Sequence, residues 1–168
     1  RNPNGNFVNP PLKDVLVCNV VTGCTAMINN TLKDLWVNDK EIVGYHDTFC
    51  GLLAVTFGKV HFVDEVLILY RQHSNNAAGI ASKKTKGALS VFWDLNHTSM
   101  QRATNILKEY GHLLTDVQRR TLNDFVELST KNIVFRLKTV MNYQYRYSLG
   151  DWKFTLLTRI LLVTRMGE

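Results

Sequence analysis

Two short runs in the 168-residue chain combine residue types that do acid–base or ligand chemistry. The first is His46-Asp47, a polar pair opening an otherwise apolar stretch from 46 to 57. A carboxylate there has two uses. Asp47 can cap the helix that the following residues predict, because a side-chain oxygen satisfies an unpaired N–H at a helix start. It can also act as a general base when a hydroxyl comes within hydrogen-bond reach. The second run is Tyr70-Arg71-Gln72-His73, which closes an apolar segment and leads into Ser74-Asn75-Asn76. Side chains at such an exit stand clear of regular structure and can meet a ligand. Arg71 can neutralise phosphate oxygens, and neutral His73 can ligate a divalent cation through one ring nitrogen, a solvated loop histidine being the alternative. Zinc hydrolysis is disfavoured, since the sequence has no histidine pair at i, i+4, no HExxH and no paired cysteines. It also lacks the phosphate-binding GxxxxGK, the dinucleotide GxGxxG and the serine-hydrolase GxSxG.

Several elements must position these residues. Residues 16–28 are mostly apolar and β-branched, broken at Thr22-Gly23-Cys24, which predicts buried extended chain with a close backbone approach at the glycine. A short helix over 30–36 follows. From 46 to 57, Phe49, Leu52, Leu53, Thr56 and Phe57 recur on one side at helical spacing, and Gly58 supplies the stop. Residues 59–63 and 66–70 read as strands, with Asp64-Glu65 between them as a weak hairpin turn. The polar, basic stretch 74–87 reads as an exposed loop. Beyond it helical periodicity dominates, with one stripe through Ile133, Val134, Leu137, Val140 and Met141 and another through Trp152, Leu156, Leu157, Ile160, Leu161 and Val163. These readings divide the chain into 1–79 and a basic helical extension, 80–168.

Composition narrows the setting. An apolar fraction of 45% in 168 residues suits one folded unit with a core. Cys18, Cys24 and Cys50 form neither an even framework nor a CxxC pair, as expected of a reducing, cytoplasmic compartment. No run approaches the roughly 18 apolar residues of a spanning helix. The opening Arg1-Asn2-Pro3-Asn4-Gly5-Asn6 has no initiator Met and no signal-peptide pattern, as expected of a piece of a longer protein. Charge is uneven: residues 1–75 carry 6 Lys/Arg against 7 Asp/Glu, and residues 76–168 carry 14 against 7. That excess suits an acidic partner, nucleic acid or membrane, or else a solvated helical face.

The ordered set Gly23-Cys24-Thr25-Ala26-Met27-Ile28-Asn29, His46-Asp47, Phe57-Gly58-Lys59-Val60, Val63-Asp64-Glu65 and Tyr70-Arg71-Gln72-His73-Ser74-Asn75-Asn76 resembles bacterial family 2 glycosyltransferases of the rhamnosyltransferase-like group. The likeness runs from about Asn19 to Gly79. It implies an α/β fold, the carboxy-terminal part of a GT-A nucleotide-diphospho-sugar transferase with a mainly parallel sheet, over 1–79, followed by a mostly helical tail over 80–168. It further implies inverting, metal-dependent transfer of a sugar from a nucleoside diphosphate to a hydroxyl of a glycan or lipid-linked acceptor, in surface polysaccharide synthesis.

By that resemblance Asp47 is the general base and His46 beside it positions the acceptor. Gly23 and Cys24 floor the donor sugar, Arg71 and Gln72 steady the leaving group, and His73 completes the coordination of Mg²⁺ or Mn²⁺. The family's DxD motif belongs to a half that precedes these residues, and no DxD occurs in this sequence. The chain alone is therefore expected not to transfer sugar, and its exposed edges to favour homo-oligomers. Two further readings accompany this one. Residues 76–168 could form a non-catalytic basic module for nucleic acid or acidic membrane, although no nucleic-acid motif is present and nucleic acid is not the expected partner. The segment 152–165 could rest peripherally on the inner face of the cell membrane through Lys153, Arg159 and Arg165, or simply pack on the protein.

Overall fold

The computed structural model of the protein describes residues 9–37, 44–69, 71, 88–146 and 152–164. Those residues form helices α1 (Leu12–Val15), α2 (Asn30–Val37), α3 (His46–Phe57), α4 (Ala88–Glu109), α5 (Asp116–Glu127), α6 (Ile133–Tyr143) and α7 (Trp152–Thr164), with 3-10 turns at Gly23–Thr25 and Gly111–Leu113. No strand occurs among the described residues. This overturns the expected α/β fold and its GT-A sheet.

The strands fail for an identifiable reason. A β-strand is stabilised by a ladder partner and by cross-strand side chains, not by its own propensity. Residues 59–69 find neither: Val66 is 85% and Leu69 95% exposed, and a single bond from the Asn9 N–H to the Val60 carbonyl, 3.2 Å, is the backbone contact to this segment from elsewhere in the described chain. Asp64-Glu65 does not close a hairpin. Residues 16–28 also depart from extended buried chain. Val15, Leu16, Val17 and Cys18 are buried as α1 ends, but the chain then surfaces and leaves Met27 99% exposed.

α3 lies at the centre. Its buried residues, Phe49, Cys50, Gly51, Leu52, Leu53 and Thr56, cover more than one face, and it packs against both α1 and α2. Gly58 ends it, donating its N–H to the Ala54 carbonyl. The core joins Leu16 and Phe49 to Ile106, Leu122, Phe125 and Leu162, so residues on both sides of position 80 share one cluster. Burying six such side chains supplies roughly 1.5–3 kcal/mol each, the largest favourable contribution in the fold. Polar ties reinforce the join: the Tyr110 hydroxyl donates to the Leu35 carbonyl at 2.7 Å, and the Gln118 amide donates to the Thr56 carbonyl near the end of α3. Gln118 also completes a capping box with Thr115 at the start of α5.

α6 starts at Asn132, whose side chain accepts from the Phe135 N–H at 3.0 Å, and stops at Gln144, which adopts a left-handed conformation at φ +47°. Arg159 of α7 donates to the Gln144 and Tyr145 carbonyls at 3.1 and 2.9 Å. A cation is thereby held at the negative end of α6.

Candidate active site

Asp47 stands at the second position of α3. Tyr45 occupies the cap position, in extended conformation and without a side-chain cap bond, so the carboxylate of Asp47 serves a different contact. Its Oδ2 accepts the Gly23 backbone N–H at 3.1 Å, across 24 residues of sequence. Its Oδ1 accepts the Thr48 N–H at 2.7 Å and the Thr48 hydroxyl at 3.3 Å. A carboxylate in the first turn of a helix is favoured by the helix dipole, and three donors fix its orientation.

Gly23 opens the 3-10 turn Gly23–Thr25, where a side chain would crowd its neighbours. A Cβ would lie 3.0 Å from His46 Nε2 and 3.3 Å from Asp47 Cβ. The turn thus presses directly on the His46-Asp47 pair. Cys24, next along, is exposed, as is His46, while Asp47 is half-buried. The His46 ring lies 6.4 Å from that of Trp36 at the end of α2, tilted 37°. Asn29 holds the start of α2 by accepting the Leu32 N–H at 2.9 Å, so the second end of the Gly23–Asn29 motif is also anchored.

Two further side chains share the electrostatic surroundings of Asp47. The Cys50 thiol is pushed up, mainly by burial and secondarily by the Asp47 charge. It is therefore held as a neutral thiol rather than as a nucleophile. Arg102 of α4 is drawn down by burial, an effect opposed by the attraction of Asp47. It comes close through Gly44, whose φ of +74° and missing side chain leave room: a Cβ there would sit 2.5 Å from Arg102 Nη2. Sequence reading missed Arg102, since its neighbours Gln101 and Ala103 form no motif and its approach to α3 spans more than fifty residues.

The structure thus brings Gly23, His46 and Asp47 together, with Cys24 at their edge. Arg71 is exposed, and Gln72 and His73 lie outside the described residues. Among the described residues no group of three His, Cys, Asp or Glu side chains could hold a metal ion, so these residues do not by themselves fit the expected Mg²⁺ or Mn²⁺. What the cluster can do is accept a proton: a fixed, half-exposed carboxylate with an exposed imidazole beside it suits general base chemistry on a hydroxyl. Compared with protein-family models, curated proteins and solved structures, the chain finds no match.

Proposed function

We propose that this chain supplies the base and the donor-facing turn of a glycosyl-transfer site. One observation carries the reading: the Gly23 N–H to Asp47 Oδ2 contact joins the two motifs that the resemblance assigns to a single active site. In the step, the acceptor oxygen bonds to the anomeric carbon as that carbon's bond to the diphosphate oxygen breaks. The bonding electron pair leaves with the nucleoside diphosphate, and the hydroxyl proton passes to Asp47. His46 orients the acceptor, Gly23 and Cys24 lie beneath the donor sugar, and Arg71 with Gln72 meets the departing charge. Cys18, Cys24 and Cys50 are free thiols, which supports a cytoplasmic setting.

The test compares wild type with Asp47→Asn over a panel of nucleotide sugars, in a protein that also supplies the DxD-bearing half. Transfer is expected to drop about 10²–10⁴-fold while donor binding persists. Unchanged transfer would leave Asp47 as an anchor for the Gly23 turn and nothing more. The present chain by itself is expected to give no transfer.

A further inference from the structure

The two apolar stripes of the carboxy-terminal helices face the core only in part: Val140 and Leu161 are buried, and the rest of each stripe lies largely open. On α6, Leu137 and Met141 are 50% and 66% exposed, whereas Val140 is buried. On α7, Trp152, Leu156 and Ile160 follow one another a turn apart at 69%, 49% and 49% exposure, while Thr158 and Leu162 on the opposite side are buried. The stripes are continuous. α6 packs on α7, and Leu137, Met141 and Ile160 line one shared groove of about 540 Å³.

Charge identifies the occupant. From Leu128 to the end, the sequence carries seven Lys/Arg against only Asp151 and Glu168. Lys138 and Lys153, both exposed, flank the stripes, and the Lys153 ammonium lies 5.9 Å from the Trp152 ring centroid at the start of α7. An aliphatic centre with an indole and lysines at its margin matches the interface of an anionic bilayer, where alkyl chains meet acyl chains and cations meet headgroups. Nucleic acid fits less well, because aliphatic side chains gain nothing from phosphate and the stripes offer few rings for stacking. A second copy fits less well too, since face-to-face pairing would oppose two positive margins. Among the described residues no helix is long and apolar enough to cross a membrane, so the contact would be peripheral.

We propose that the α6–α7 face is a peripheral docking surface for anionic lipid bilayers. It stands apart from the glycosyl-transfer reading, although it would bring Asp47 to a lipid-linked hydroxyl if both hold.

The experiment is flotation of the full chain with vesicles of phosphatidylcholine alone or phosphatidylcholine with phosphatidylglycerol, at low and high salt, with light scattering for oligomeric state. Wild type is expected to float with the anionic vesicles at low salt, to float less at high salt, and to stay down with neutral ones. Leu137→Glu combined with Ile160→Glu, both at exposed positions, should abolish flotation with circular dichroism unchanged. Should that variant misfold, Lys138→Glu with Lys153→Glu provides the second arm, weakening binding about fivefold per charge. Failure of wild type to float at low salt overturns the proposal. So does flotation that survives the exposed-position variants, a dimer that Leu137→Glu with Ile160→Glu converts to monomer, or duplex RNA binding that those substitutions abolish. None of these outcomes bears on Asp47, whose test is sugar transfer.

Discussion

Asp47 illustrates how small a shift separates two roles. Its residue type and neighbourhood are those of a helix cap, yet the helix begins at His46, so Tyr45 takes the cap position and Asp47 turns its carboxylate onto Gly23. Sequence supplied the residue and the helix but not a contact 24 positions away. A second residue-level consequence concerns Tyr145. Its fully buried ring packs 5.9 Å from Phe125 and 5.7 Å from Tyr143, and among the described residues its hydroxyl finds no hydrogen-bond partner. Tyr145→Phe removes that unpaired group and is expected to raise stability by about 1 kcal/mol, measured by denaturant unfolding. The Tyr143 phenol is pushed up to about 12 by burial first and then by its bond to Asp124, and burial raises Tyr145 further. An unfolded phenol titrates near 10, so this contribution is intact below about pH 10 and is lost as pH rises through the folded values. Unfolding midpoints should therefore fall above about pH 10, and fall less in Tyr145→Phe.

At the scale of elements, helices with local signals were legible and strands were not. The predicted helix over 46–57 is α3, because its apolar spacing and Gly58 are local properties. Thr115-Asp116-Val117-Gln118 carries the capping-box pattern that starts α5, a signal that is also local. Thr115→Ala should cost about 1 kcal/mol in denaturant unfolding, while the Gln118 contact to Thr56 persists. Residues 59–63 have strand-like composition, but composition is half of a strand and a partner is the other half. With no ladder available, the same residues run as irregular chain, with Val60 and Phe62 half-buried and the others exposed.

Across the whole molecule, Leu53 of α3 and Leu122 of α5 sit fully buried in one cluster. Leu53→Ala and Leu122→Ala should each cost about 2–5 kcal/mol and lower a single unfolding transition, since emptying either site opens the same core. Two separate transitions, each sensitive to one variant, would show instead that the parts before and after position 80 fold apart. The sequence by itself determined what depends on near neighbours: the helix over 46–57 with the His46-Asp47 pair at its head, the helical character of the chain after residue 88, and the basic excess after residue 76. Tertiary structure decided what depends on distant partners. It withheld the ladder that strands require, set Gly23 against Asp47, and brought Arg102 past Gly44. It also chose which residues of each apolar stripe to bury. Periodicity marks the apolar side of α6 and α7 but carries no information on what that side meets, and here Leu137 and Ile160 stay half-exposed while Val140 and Leu161 of the same stripes are buried.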